Sequence, residues 1–164
     1  MYRRVLFAMT TGLLLTSAVA KGEDFAPKLH GFLEGNWNVK NDDGTPFVTA
    51  KMKRAAGGKA LVGNAKAPNG IRSSLLAGWD CSTKTWIYTA FGGEGGYVRI
   101  QLTEAQGDTY SGNIRIVDPE GQVEEAGCQF KVIDDNKFDI IHTTNDKTWS
   151  LHWQRAKNQR HDDG

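Results

Sequence analysis

Short segments rich in Val, Ile, Thr, Trp and Tyr follow one another along the chain after residue 33. Clusters of Gly, Asp, Asn or Pro separate them about every 8 to 14 residues, and helical periodicity is nearly absent, which is the pattern of an all-β fold. The segments predict ten strands, at roughly 34–40, 46–55, 59–66, 72–79, 85–91, 97–104, 109–117, 122–133, 137–144 and 147–155.

The turns between these segments are short, so each strand is expected to pair with the next one in antiparallel fashion. Ten strands with no helix to cover them would leave exposed edges unless the sheet closes on itself. The chain is therefore expected to be all-β, a single antiparallel up-and-down β-barrel of about ten strands. The barrel is assigned to residues 33–156, and residues 21–32 are expected to form an N-terminal segment with a short helical turn closing one end.

The last hairpin can be registered from its turn. A two-residue turn at Asn145 and Asp146 pairs Phe138 with Trp153, Ile140 with Leu151, and His142 with Trp149. A similar turn at 134–136 places Val132, Phe130 and Cys128 opposite the first residue of each of those pairs. Opposite residues in an antiparallel pair point to the same side, so these side chains are predicted to line the barrel interior.

The first and last strands of a closed meander lie side by side. Arg155 has the same parity as Trp149 and Trp153, so it is predicted to point inward, level with Trp37 on the first strand. A guanidinium stacked on an indole contributes about 0.5–2 kcal/mol. We expect Trp37 and Arg155 to close the barrel rather than to contact a ligand.

The segment Phe32-Leu33-Glu34-Gly35-Asn36-Trp37 resembles the Gly-x-Trp opening of the calycin superfamily, which includes lipocalins, fatty-acid-binding proteins and nitrobindin-like barrels. In those families an Arg or Lys from the final strand crosses the N-terminal Trp, and Arg155 matches that position. The layout is also similar to a branch of uncharacterised exported bacterial barrels. The resemblance implies a carrier of small apolar molecules, whose ligand the sequence does not name.

A ligand inside the barrel would contact the predicted inner face. The sequence-based candidates for ligand binding are Cys128, Phe130, Phe138, Ile140, His142, Trp149, Leu151 and Arg115. Arg115 is included because it could face Glu124 across the turn at 118–121 and point inward with it. The other phase, with a bulge near residues 126–127, would turn the pair outward, and the sequence leaves both open.

His142 and its neighbours are consistent with three classes of function. The first is a binding module for a small hydrophobic molecule. The second is a haem protein, because nitrobindin-like barrels hold haem through an inward His, although Asn38-Val39-Lys40 departs from the glycine-rich motif of that family. The third is a barrel filled by its own side chains, with a structural or interaction role. Apart from the haem alternative no cofactor or metal is expected, and no residue is assigned a catalytic role.

Other motifs give weaker signals. Asp139 and His152 are expected to form an ion pair on the outer face, and residues 92–96 to form a hairpin loop at the barrel rim. Cys81 and Cys128 fall about 20 Å apart along the predicted barrel, which is too far for a disulfide. Both thiols are therefore predicted to be free.

Residues 1–20 have the features of a secretory signal peptide. Arg3 and Arg4 precede an apolar run, and Ala18-Val19-Ala20 suits signal peptidase. The run is too short for a membrane span. We expect a periplasmic or secreted protein that begins near Lys21 and has no membrane segment after cleavage.

Cleavage would leave 18 basic and 19 acidic residues. This even balance argues against a nucleic-acid partner, whose binding depends on neutralising phosphates. Residues 157–164 are charged and end in Gly, and they predict a disordered tail. The sequence leaves the oligomeric state open.

Overall fold

The structure is a computed structural model that describes residues 20–157, with side chains from Lys28 onward. The predicted signal peptide, apart from Ala20, and the predicted tail, apart from Lys157, lie outside the described residues. In chain order the elements are β1 Ala20–Lys21, α1 Gly22–Leu33, β2 Gly35–Asn41, β3 Pro46–Ala55, a 3-10 turn at Ala56–Gly58, β4 Ala60–Lys66, β5 Arg72–Asp80, β6 Thr85–Gly92, β7 Tyr97–Gln106, β8 Thr109–Val117, β9 Val123–Asp134, β10 Lys137–Thr143 and β11 Thr148–Arg155.

Strands β2 to β11 form a closed antiparallel barrel. Each strand pairs with the next, and β11 pairs with β2 to complete the ring. Every predicted strand is present, with its ends within two residues of the prediction. The two-residue β1 pairs with β7 just beyond the β7 residues that pair with the beginning of β6. The predicted ten-strand barrel is thus confirmed.

The register predicted for the last three strands is also confirmed. Phe138 pairs with Trp153, Ile140 with Leu151 and His142 with Trp149. On the other side of β10, the same three residues pair with Val132, Phe130 and Cys128. Buried and exposed positions alternate along β10, as the pairing requires when one face of a strand is inside.

Aromatic side chains fill one half of the barrel. The Phe138 ring meets Trp37 edge-on at 5.1 Å between centroids and stacks on Trp153 at 5.0 Å. Phe32 and Phe130 extend this cluster to either side, at 5.5 and 5.8 Å from Phe138. Such ring pairs add stability beyond the apolar area they bury. We call this half, with Trp37 and Arg155, the closed end.

Helix α1 covers the closed end. Leu29 and Leu33 lie four residues apart, so both side chains fall on one helical face, and both are buried. His30 beside them is buried as well, and burial lowers its pKa. With twelve residues the helix has about three turns, longer than the short turn expected from sequence. No helix among the described residues is long and apolar enough to cross a membrane.

Arg155, on the last strand, contacts the first barrel strand and the end of the helix before it. Its guanidinium carbon lies 4.3 Å from the centroid of the Trp37 ring. The same guanidinium donates hydrogen bonds to the backbone carbonyls of Glu34 at 2.7 Å and Phe32 at 2.9 Å. The Trp37 indole N–H in turn donates to the carbonyl of Leu33 at 2.9 Å. These contacts, which we call the clasp, confirm the predicted pairing and tie α1 to both β2 and β11.

The clasp explains why the first position of the Gly-x-Trp motif is a glycine. Gly35 has φ +130°, a backbone conformation that side chains disfavour. A Cβ at this position would also collide with the Arg155 guanidinium. Gly35 therefore lets the backbone approach Arg155 closely, and Trp37, two residues later, supplies the ring that Arg155 covers.

On the outer face, His152 joins two strands and a turn. Its Nδ1 lies 2.8 Å from an oxygen of Asp139, and its Nε2 lies 3.2 Å from Asp42. Asp42 also accepts a hydrogen bond from the backbone N–H of Ser150. The hydrogen bond with Asp139 raises the pKa of His152. The expected Asp139–His152 pair is confirmed, and it joins β10 and β11 to the turn after β2.

Removing the clasp should destabilise the fold. Arg155→Ala deletes the ring contact and leaves the carbonyls of Glu34 and Phe32 without their donor, so we expect a loss of about 2–4 kcal/mol in the free energy of unfolding. Urea denaturation followed by tryptophan fluorescence measures this loss. The matched control is Arg115→Ala, which removes an exposed arginine on β8 and should shift the urea midpoint little. Equal midpoint shifts for both variants would contradict the role of the clasp.

Candidate functional site

The half of the barrel opposite the clasp, the open end, contains a cavity of about 380 Å³. Its wall is mostly apolar and comes from strands β3 to β8, β10 and β11, together with loop residues. The described residues lining it are Phe47, Val48, Ala65, Ile71, Ser73, Leu75, Tyr88, Ala90, Gly92, Gly93, Glu94, Gly95, Gly96, Tyr97, Val98, Ile100, Ile114, Ile116, Val117, Pro119, Ile140, His142, Trp149, Leu151 and Trp153.

The sequence-predicted site residues divide between the two halves of the barrel. Four of them line the cavity: Ile140, His142, Trp149 and Leu151. Three others, Cys128, Phe130 and Phe138, are buried on the same inner face but do not line it. Phe130 and Phe138 belong to the aromatic cluster of the closed end. The predicted face is therefore correct, and the cavity takes only part of it.

Arg115 does not line the interior. It is exposed on the outer face, where it forms an ion pair with Glu125 and donates a hydrogen bond to the Tyr97 hydroxyl. Of the two orientations that the sequence left open for Arg115, the structure shows the outward one, so Arg115 is not a lining residue. The expected pairing of Arg115 with Glu124 is wrong, because Arg115 pairs with Glu125 and Ile116 with Glu124.

The turn after β8 explains this difference. Asp118 donates its backbone N–H to the carbonyl of Gln122, so the loop holds three residues instead of four. Gly121 takes the positive φ, +84°, that a three-residue hairpin loop commonly needs at its last position. The shorter loop moves the pairing by one residue. No bulge interrupts the β8–β9 pairing near residues 126–127.

Most of the residues that line the cavity were not among the sequence-predicted site residues. Leu75 on β5, Tyr88 on β6, Ile100 on β7 and Ile114 on β8 are all buried and line the cavity. The sequence does indicate the inner face of these strands, since apolar residues occur at alternate positions along β7, at Val98, Ile100 and Leu102. Alternation identifies an inner face, but it does not say which residues of that face border a cavity.

His142 is the most unusual polar group of the cavity. It is 3% exposed, and neither ring nitrogen has a hydrogen-bond partner among the residues that the structure describes. Its ring packs on Trp149 with centroids 3.7 Å apart. Burial lowers its pKa to about 4, so the imidazole is neutral at physiological pH. A buried polar group without a partner costs stability, about 1–3 kcal/mol, and it is available to a ligand.

Two further neutral polar groups border the same space. Tyr88 is buried, and that burial raises the pKa of its hydroxyl. Trp153 has a buried indole N–H that finds no acceptor in the described part of the chain. Glu94, which is exposed, is the one residue with a formal charge among the described lining residues. The interior thus offers neutral donors and acceptors within an apolar wall.

The glycine-rich loop forms part of the cavity rim. Residues 92–96 connect β6 to β7, and four of the five are glycines. Gly96 packs against the turn after β8, where a Cβ would come within 2.6 Å of the Val117 carbonyl oxygen. The predicted hairpin loop at the rim is confirmed. The strand that follows gives it no helix N-terminus, which a phosphate site of this kind would use.

The two cysteines are free, as predicted. Cys81 is exposed in the turn after β5, and Cys128 is buried opposite His142. Burial raises the pKa of the Cys128 thiol to about 12, which keeps it protonated. A protonated thiol is a weak nucleophile, so the Cys128–His142 neighbourhood does not support thiolate chemistry.

Comparison with known proteins adds little to this description. No protein-family model matches the sequence, and no curated protein matches it. Among solved structures, the chain is similar to a redesigned β-barrel at 17% sequence identity, with a TM-score of 0.38, covering 78% of this chain and 95% of that one. A likeness this distant carries no argument about function.

The buried state of His142 predicts a pH dependence of stability. In the unfolded chain His142 takes up a proton below about pH 6.5, whereas the folded protein keeps it neutral down to about pH 4. Between these values the unfolded state binds more protons, so stability falls as the pH falls, by about 3 kcal/mol in total from this residue.

Urea denaturation at pH 7 and pH 5 measures this effect. His142→Phe keeps a ring in the cavity and should lose much less stability between the two pH values than the wild type. The raised pKa of His152 acts with the opposite sign, but it is present in both proteins and cancels in the comparison. An equal loss in both proteins would mean that His142 is not buried in its neutral form.

Proposed function

We propose that this protein is an exported binding protein of the calycin kind, which holds a small apolar or amphipathic molecule inside its barrel. The observation that carries the proposal is the cavity of about 380 Å³ at the open end. Small-molecule sites are typically concave, mostly apolar, and about 300–1,000 Å³ in volume. The cavity meets each of these conditions.

The division of the barrel supports a binding role over a purely structural one. A barrel that served only as a scaffold would gain stability by filling its interior throughout. Here the aromatic cluster and α1 fill the closed end, while the open end keeps a cavity in which His142 has no hydrogen-bond partner among the described residues. Buried polar groups without partners are uncommon in folded proteins, and their presence in a cavity is expected where a ligand supplies the partner.

The clasp supports the calycin assignment. Gly35, Trp37 and Arg155 occupy the positions that the resemblance implies, and their contacts explain why these residue types occur together. The resemblance implies a carrier, and the clasp lies at the end of the barrel away from the cavity. This arrangement leaves the open end to the ligand.

Haem is the cofactor that the nitrobindin resemblance implies, and the residues present do not fit it well. A histidine that binds a metal almost always donates its second ring N–H to a carboxylate, a carbonyl or water. His142 has no such partner in the described chain, and its ring packs closely on Trp149. We therefore derive no function through haem.

Binding of a neutral fluorescent probe tests the proposal. N-phenyl-1-naphthylamine fluoresces strongly when it enters an apolar site, and for a ligand of its size we expect a binding free energy of about 5 kcal/mol or better. Ala90 lines the cavity on β6, so Ala90→Trp should fill part of the space and weaken binding at least tenfold.

The matched control makes the same substitution one residue earlier on the same strand. Thr89 faces the outside of the barrel, so Thr89→Trp should leave the affinity within twofold of the wild type. Absence of saturable binding to the wild-type protein, or equal weakening by both substitutions, would contradict a binding site in the barrel.

Export is the second part of the proposal, and it rests on the features of residues 1–20. Expression of the whole chain in a Gram-negative bacterium, followed by intact mass measurement of the periplasmic fraction, tests it. We expect a product that begins at or near Lys21, since Ala18-Val19-Ala20 suits signal peptidase. Recovery of the full-length chain from the cytoplasm or the membrane fraction would contradict export.

A further inference from the structure

We infer that the cavity selects neutral molecules carrying a hydroxyl or carbonyl oxygen, and that it excludes carboxylates such as fatty acids. This inference rests on the proposed function, because it names the class of ligand that the same cavity would hold. It follows from the polar groups present in the cavity and from the charges that are missing there.

The polar groups of the cavity are neutral hydrogen-bonding groups. A neutral imidazole has one donor and one acceptor, a phenol donates and accepts, and an indole only donates. His142, Tyr88 and Trp153 supply these three groups, and all three residues are buried. An oxygen that accepts one or two hydrogen bonds satisfies them without bringing a charge into the interior.

A carboxylate would find no cation in this cavity. Among the described lining residues there is no Lys or Arg, and the formal charge present there is the negative one of Glu94. Arg115, for which the sequence left an inward position open, is outside and paired with Glu125. A charge taken out of water without a partner is strongly disfavoured, and Glu94 would add repulsion at the rim.

The same reasoning disfavours an ammonium group deep in the cavity. Glu94 is exposed at the rim, so its charge is screened by solvent, and a buried ammonium would lack a counter-ion. His142 supplies no negative charge in either protonation state. Neutrality of the ligand's polar group, rather than the sign of a charge, is therefore the basis of selection.

A set of ligands with one chain length and different head groups tests this. 1-Decanol, decanoate and decylammonium compete at pH 7.5 with N-phenyl-1-naphthylamine bound to the wild-type protein. We expect 1-decanol to bind at least tenfold more tightly than either ion. A smaller preference, or tighter binding of either ion, overturns the inference.

Two variants test which groups make the selection. His142→Phe and Tyr88→Phe each remove a hydrogen-bonding group and keep an aromatic ring. At least one of them should weaken 1-decanol binding fivefold or more, and the far-ultraviolet circular dichroism spectrum reports that each variant is folded. Unchanged 1-decanol affinity in both variants overturns the assignment of these residues.

These measurements distinguish a failure of the proposed binding function from a failure of the proposed selection for neutral ligands. If the wild-type protein does not bind the fluorescent probe, the proposed binding function fails. If the probe binds and decanoate displaces it as well as 1-decanol does, the binding function stands and the selection for neutral ligands fails.

Discussion

Arg155 makes the contact on which the closed barrel depends, because its guanidinium bridges the last strand, the first barrel strand and the helix before it. It covers the Trp37 ring at 4.3 Å and donates to the carbonyls of Glu34 and Phe32. A sheet of ten strands has two edges until its first and last strands pair, and unpaired edges invite other chains. The β2–β11 pairing removes those edges, and the clasp holds its two strands together at their ends. The barrel has an interior only because the sheet closes on itself.

The interior is divided along the barrel axis into a filled half and a half that contains a cavity. At the closed end, rings at 5–6 Å spacing and the buried leucines of α1 form a filled core. At the open end, smaller side chains such as Ala65 and Ala90 leave space, and His142 is buried with no hydrogen-bond partner in the part of the chain that the structure describes. The first arrangement favours folding, and the second opposes it by a modest amount. A protein can tolerate such a cost at a site when the rest of the structure supplies enough stability.

The outer face follows ordinary surface chemistry and accounts for most of the charged residues. His152 bridges Asp139 and Asp42 across three chain segments, and Arg115 pairs with Glu125. Exposed pairs of this kind add little to stability individually. Because Arg115 pairs with Glu125 outside the barrel, it adds no charge to the cavity lining, where Glu94 at the rim is the one described residue with a formal charge. The electrostatic character of the site is thus set partly by residues that do not touch it.

The sequence by itself determined the strands, the closure and the register of the last hairpins. Alternation with a period of two marks the inner face of each strand, and the tight turn at Asn145 and Asp146 sets the pairing of β10 with β11. Only the tertiary structure decided which face Arg115 occupies, since a loop shorter by one residue reverses the parity between partners, and loop length between polar residues is not evident from their types. Only the tertiary structure decided, too, where the barrel is hollow. The space left inside depends on side chains from strands β3 to β8, β10 and β11 at one level of the barrel, and residues that share a level are far apart in the sequence.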